Sequence, residues 1–288
     1  MPDIATPDLP LPDLSAAARS ARSLGYRTDL ALLERAGSTV EDRGTHLVVR
    51  TLDNPDFYWG NFLLLRELPL PGGAREVMAA CWTEFPTSDH QAIAFDLTEP
   101  LTDHPVLLEF LEAGMTASTT VTLTTSSLTP PARPHQEAEL RPLAGEDDWE
   151  QQVALTIAAD AQTASAALET YARKRVAAER ARVDQGLGQR WGAFLDGRLV
   201  STAALFRVDA ELARYQSVVT HPELQRQGLA TTLVHRVGAY GLSELGVSTL
   251  VILAEEGAPA EGLYRGLGFE PVERVTELLA LPRRGDHA

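Results

Sequence analysis

The stretch Gln225-Arg226-Gln227-Gly228-Leu229-Ala230 limits the possible folds of this chain more than any other segment. An apolar run, Tyr215 to Val219, reads as a strand and leads through Thr220-His221-Pro222 into it. Leu229, Leu233, Val237 and Tyr240 follow three or four residues apart, the spacing of one apolar helix face. A strand–loop–helix unit of this kind aims unpaired backbone N–H groups and the positive end of a helix dipole at one point, which suits a phosphate. Gly228 is expected to supply a turn geometry closed to other residues and to leave a ligand room to approach, and Ala230 keeps the first turn clear.

A second pattern lies downstream. Leu250 to Ala254 reads as a strand, and Leu263-Tyr264-Arg265-Gly266-Leu267-Gly268-Phe269 follows it, with Gly228 and Tyr264 36 residues apart. The spacing Gln-x-x-Gly-x-Ala after Val-x-x-Pro-Glu, followed by Leu-Tyr-x-x-x-Gly-Phe, resembles the two signatures of the GNAT superfamily of N-acetyltransferases. The resemblance covers about Glu139 to Leu281. It implies an α/β (α+β) fold, a mixed twisted sheet flanked by helices, with acetyl-CoA as co-substrate. Backbone groups of Gln225, Arg226, Gln227, Gly228, Leu229, Ala230 and Thr231 would hold the pyrophosphate. Val218, Val219 and Thr220 match the strand that runs beside the pantetheine arm. Tyr264 matches the family's tyrosine, which is placed to protonate the departing thiolate; its other reading is a ring packed on the sheet. Many relatives carry a glutamate in the strand before the loop as general base, but Tyr215 to Thr220 holds no carboxylate. His221, Glu223 and Glu255 are near in sequence, and no base is assigned among them.

The Pro-rich segment 129–137, with three prolines between Leu128 and Pro134, cannot continue a sheet and reads as a stiff linker. It divides an N-terminal domain (21–128, after a flexible arm at 1–20) from a catalytic domain (138–288). In the latter, Ala138 to Leu143 reads as a strand, Glu146 to Ala159 and Ala164 to Val183 as helices, and the runs flanking Asp196-Gly197 as a hairpin. In the former, Asn61 to Leu65 and Ala92 to Asp96 read as strands, Ala74 to Trp82 and His104 to Ala113 as helices, and Ser118 to Thr125 as a β-prone run. Gly73 and Phe110 are 37 residues apart and Phe110 aligns with Tyr264. This half therefore reads as a degenerate GNAT-like copy that binds no cofactor and walls one side of the acceptor cleft. A generic βαβαβ fragment gives the same pattern.

Charge and composition narrow the partners. The formal net charge is −15, with Lys174 the sole lysine, which argues against nucleic acid. Arg173-Lys174-Arg175 reads as a solvated helix face. The single cysteine, Cys81, excludes an internal disulfide and reads as a buried, inert thiol. The histidines show no ligand spacing, so no metal is expected. No run approaches the ~20 apolar residues of a membrane span, and the acidic, proline-rich start is unlike a signal peptide. A cytoplasmic N-acetyltransferase acting on a primary amine, with direct attack in a ternary complex, is the expectation. A non-catalytic acyl-CoA sensor is the alternative.

Overall fold

The computed structural model describes residue 11, residues 13–159 and residues 166–281. Most of the expected flexible arm, the first residues of the expected second helix, and residues 282–288 lie outside the described residues. The chain divides into two compact units that are interleaved in sequence. The first takes Asp13–Thr122, Leu253–Ala258 and the chain from Pro271; the second takes Leu123–Ile252 and Pro259–Glu270. The sequence reading, by contrast, places a single boundary at the Pro-rich segment.

The first unit contains helices α1 (Ala16–Arg19) and α2 (Leu24–Arg35), strands β1 (Thr39–Asp42), β2 (His46–Arg50) and β3 (Phe62–Leu65), helix α3 (Ala74–Glu84), strand β4 (Gln91–Phe95), helix α4 (Pro105–Glu112) and strand β5 (Thr116–Thr125). β1, β2 and β3 are joined antiparallel and β3 and β4 parallel. A strand from the far end of the chain, Glu270–Ala280, lies antiparallel to β4, with Glu277 opposite Ala94 and Ala280 opposite Gln91. Both faces of this sheet are covered. Leu63, Leu65, Ile93 and Phe95 pack on one side with Cys81 and Phe110, while Phe62, Leu64, Ala92 and Ala94 pack on the other with Tyr26 and Leu30. This explains why β3 and β4 are continuous apolar runs without alternation. Each such Leu or Phe contributes about 1.5–3 kcal/mol by leaving water. Cys81 is buried, as its neighbours suggest, and burial pushes its thiol up to about 12.

Carboxylates occupy two helix starts in this unit. Asp96 accepts from the backbone N–H of Arg22 and Ser23, and Glu273 from those of Leu24 and Gly25, at the start of α2. At the start of α3, Glu109 of α4 accepts from Gly72 N–H at 2.8 Å and from Ala74 N–H at 3.4 Å. Orphan donors and the positive end of the helix dipole favour an anion at such a place.

The second unit holds β6 (Glu139–Pro142), α5 (Gly145–Ala159), α6 (Ala166–Asp184), β7 (Gly188–Leu195), β8 (Arg198–Arg207), β9 (Leu212–Thr220), α7 (Leu229–Ser243), β10 (Thr249–Glu255) and α8 (Pro259–Gly266); the strand Glu270–Ala280 already described is β11. β6, β7, β8 and β9 are joined antiparallel and β9 and β10 parallel. The hairpin of β7 and β8 turns on Asp196 and Gly197, both at positive φ, as an Asp-Gly pair favours. α5 and α6 cover one face through Trp149, Val153, Ala172 and Val176 against Phe194 and Leu199. α7 buries Leu229, Leu233, Val237 and Tyr240, the stripe read from the sequence. The pairing senses antiparallel, antiparallel, parallel run along β1 to β4 and again along β7 to β10.

Candidate active site

β9 carries an irregularity at the centre of the site. Val219 faces Thr202 and Gln216 faces Ala204, so Ser217 and Val218 together stand opposite Ala203. One extra residue on one strand is a β-bulge, which bends the strand and re-aims its side chains. Ser217 adopts φ +48°, a backbone conformation that non-glycine residues seldom take. On its other side, β9 is in register with β10 only from Leu212 to Arg214, opposite Thr249 to Val251. Val218, Val219 and Thr220 thus lie beyond the paired stretch, on a strand hydrogen-bonded to β8. An open strand edge can pair with an extended amide-bearing ligand.

The loop after β9 leads into α7. Pro222–Leu224 form a 3₁₀ turn, Arg226 takes φ +63°, and Gly228 caps α7 at φ +85°. The first turn closes when Thr232 N–H donates to Gly228 O at 2.9 Å. The N–H groups of Leu229, Ala230 and Thr231 precede that bond and have no acceptor within the helix. Gly228 takes the left-handed turn geometry expected of it. A Cβ there would also stand 2.8 Å from the carbonyl of Arg133, so the positive φ and the chain crossing it both require a glycine. That crossing segment is held by His135 N–H donating to Thr232 Oγ1 at 2.8 Å, while the hydroxyl donates to Gly228 O.

Against the bulge lies a cavity of about 230 Å³, lined by residues of α5, α6 and β9 that include Gln152, Thr156, Tyr171, Arg175, Glu179 and Ser217. Its polar wall is a connected network. Ser217 donates its hydroxyl to Glu179 Oε1 at 2.9 Å, and Arg175 Nη2 donates to Ser217 Oγ at 2.6 Å. Arg175 Nη1 donates to the Tyr171 hydroxyl at 3.1 Å. Behind them Arg190, with a side chain 0% exposed, donates to Thr202 Oγ1 and to Ser217 O. Its Nη1 also lies 2.7 Å from Glu179 Oε2, outside hydrogen-bonding direction, so that contact is one of charge. Burial lowers the affinity of Arg190 for its proton, and Glu179 opposes this. Arg190 thereby grips both strands at the bulge and fixes the height of Ser217.

Sequence reasoning missed this group. Glu179 follows Leu168, Ala172 and Val176 at helical spacing, so a carboxylate on a buried stripe was a legible signal. Arg190 stands inside a strand between Gln189 and Trp191, which is a second one. The basic cluster of α6 divides: Arg173 is exposed and paired with Glu150 and Glu169, whereas Arg175 turns into the cavity and is no solvated face. His221, Glu223 and Glu255 are not among the cavity's lining residues.

Tyr264 lies on α8 and is buried, with its ring 6.3 Å from that of Phe269, which in turn lies 6.0 Å from Tyr215. Burial pushes its phenol up to about 12. It does not line the cavity of Ser217 and Glu179. Among the described residues, no cluster of His, Cys, Asp or Glu could hold a metal ion, and no helix is long and apolar enough to cross a membrane.

Residues 155–269 match the model of the acetyltransferase (GNAT) family. No curated protein is detectably similar in sequence. Among solved structures, a GCN5-related N-acetyltransferase from Kribbella flavida is 19% identical with a TM-score of 0.61, covering 96% of this chain and 98% of its own. A conserved protein of unknown function from Staphylococcus epidermidis is 13% identical with a TM-score of 0.64, covering 84% and 93%. A tandem GNAT protein from the clavulanic acid biosynthesis pathway is 17% identical with a TM-score of 0.52, covering 93% and 91%. At such identities these structures establish the fold, which is that of tandem GNAT-like domains. Residues 155–269 are thus similar to a GNAT acetyltransferase domain, an acyltransferase module whose co-substrate in that family is acetyl-CoA.

Proposed function

We propose that the second unit transfers the acetyl group of acetyl-CoA to the primary amine of a small molecule by direct attack in a ternary complex. The observation that carries this reading is the early end of the β9–β10 pairing beside the N-terminus of α7. The residues there fit the co-substrate. Backbone N–H groups of the loop Gln225–Thr231, with the helix dipole behind them, suit a pyrophosphate. The edge at Val218, Val219 and Thr220 suits the amides of the pantetheine arm, and one of its N–H groups can polarise the thioester carbonyl. The bulge brings Ser217 to the cavity, which Val219 also lines, and so gives an amine a place against the same strand.

In this reading the amine nitrogen attacks the carbonyl, the C–N bond forms and the C–S bond breaks. The ammonium must first lose a proton to solvent water, since it titrates near ~10, and the nitrogen releases a second proton to water as the intermediate collapses to the amide. Tyr264 returns a proton to the thiolate sulfur. The second unit contains no cysteine, which supports direct transfer over an acyl-enzyme thioester. The first unit is read as a degenerate copy without cofactor: Glu109 fills the helix start where a pyrophosphate would sit, and Phe110 has no proton to give.

One observation favours a second reading. β9 has no carboxylate between Tyr215 and Thr220, so a domain that binds acyl-CoA as a sensor without turnover remains the alternative. Release of free CoA thiol, followed with a panel of primary amines, separates the two. Amine-dependent release supports transfer, and tight acetyl-CoA binding with no release from any amine sinks it.

A further inference from the structure

The Pro-rich segment that reads as a linker in the sequence is packed along the helix that starts at the cofactor loop. Three glycines record its path. A Cβ on Gly268, after α8, would stand 3.1 Å from Thr129 Oγ1 and 3.2 Å from Ser127 O. One on Gly238 of α7 would stand 2.7 Å from Leu128 Cδ1, and one on Gly228 would stand 2.8 Å from Arg133 O. Thr129 N–H also donates to Leu267 O at 2.9 Å. The segment therefore runs from the end of α8 along α7, from Gly238 to Gly228, at a closeness that only residues without side chains allow. At its far end Thr232 staples it: the hydroxyl accepts from His135 N–H and donates to Gly228 O, both at 2.8 Å. Ala138 N–H then donates to His135 Nδ1 as the chain turns into β6. Prolines stiffen such a segment, so little entropy is lost in fixing its course.

The strap delivers an unpaired cation to the start of α7. Arg133 is exposed and makes no ion pair or side-chain hydrogen bond with any described residue, and the same holds for Arg226 of the loop. The exposed carboxylates nearest in sequence, Glu137 and Glu223, pair with neither. Other arginines of this unit, Arg141, Arg173, Arg180, Arg190 and Arg265, each meet a carboxylate. Two free guanidiniums beside the positive end of a helix dipole oppose one another until an anion joins them. We propose that this segment is a strap of the acetyl-CoA site and that Arg133 contacts the pyrophosphate, together with the backbone N–H groups of the loop. Thr232 is the positioning residue that holds the strap in place. The segment lies ahead of the residues that match the family model, so this cation comes from outside that module.

The inference rests on the acetyl-CoA reading, and calorimetry separates the two. CoA and dephospho-CoA, which keeps the pyrophosphate but lacks the ribose phosphate, are titrated into the full chain, with a thermal melt of each variant as the control on folding. Arg133→Gln should weaken both ligands alike by about 5-fold or more, as loss of one charge-assisted contact does. Arg133→Lys should keep part of the affinity, and raised salt should narrow the gap between the parent and Arg133→Gln. Thr232→Val should weaken CoA and Thr232→Ser restore it, and Thr232→Val combined with Arg133→Gln should lose less than the sum of the two. Strictly additive losses overturn the positioning of Arg133 by the strap. Unchanged CoA affinity in Arg133→Gln, or a loss seen with CoA and absent with dephospho-CoA, overturns the proposal and leaves the acetyl-CoA reading standing. A parent chain that binds neither ligand overturns both.

Discussion

Ser217, Glu179 and Arg190 form a connected polar junction in the second unit, and their arrangement has measurable consequences. Arg190 is wholly buried and its charge is met by a carboxylate that is itself 5% exposed. Removing one partner of such a pair leaves an uncompensated buried charge, which costs about 3–5 kcal/mol. Glu179→Gln should therefore lose roughly that much stability in urea denaturation, and Arg190→Met added to it should restore a substantial part. A loss under about 1 kcal/mol would show that the pair does not hold the bulge. Tyr264 carries the proposed chemistry. With its phenol near 12, it keeps its proton across the neutral and mildly alkaline range. As an acid it is weaker than a free phenol (~10), and donation to a thiolate (~8.5 in water) requires that sulfur to be desolvated as well. Tyr264→Phe should lower kcat by about 10² with little change in acetyl-CoA affinity. The parent's rate should not decline through loss of this proton until the pH approaches about 12. An unchanged kcat in the variant makes Tyr264 a packing residue. Gly228 and Tyr264 could be singled out in the sequence because each sits in a fixed spacing with distinctive neighbours. Ser217 could not: nothing in Gln216-Ser217-Val218 marks a bulge, because no glycine or asparagine stands at the positive φ.

Helix starts separate the two units at the scale of elements. The start of α3 is taken by the carboxylate of Glu109. The start of α7 instead presents Gly228 in the left-handed region with orphan N–H groups behind it. Glu76 stands exposed in the first turn of α3, but the carboxylate in contact with the helix start comes from α4, 37 residues after Gly72, a distance no local pattern spans. The start of α7 is also fragile. Gly228→Ala forces a Cβ into φ +85° and toward the carbonyl of Arg133 at 2.8 Å, and should cost about 1–3 kcal/mol. The check is a thermal melt without ligand, and an unchanged melting temperature would remove the packing role given to Gly228. Elements with one buried face or a marked turn were readable, as in α7, α5 and the hairpin of β7 and β8. α2, β1 and β2 went unread, and so did β11. β11 has a mixed burial pattern and gives no local sign that its partner is β4, since that pairing is fixed by contacts about 180 residues apart.

Interleaving is the property of the whole molecule that sequence order conceals. β11 supplies Glu277 to the Tyr26 and Thr120 hydroxyls and Glu273 to the start of α2, so the first unit lacks a strand and two anchoring carboxylates unless the chain's far end is present. A fragment of residues 1–128 should therefore show no cooperative unfolding transition by circular dichroism, whereas the full chain should. A stable fragment would make the Pro-rich segment a true domain boundary. The strand, loop and helix around Gly228 were legible because their order is local. The exchange of chain between units was not, because it depends on which edge a late strand meets. The central claim is that one unit holds acetyl-CoA and the other does not. Calorimetric titration of acetyl-CoA into the full chain tests it most directly. The account predicts one equivalent per chain, weakened by about 10-fold or more in Arg226→Glu, which sets a negative charge in the pyrophosphate loop. Two equivalent sites, or one site indifferent to Arg226→Glu, would contradict it.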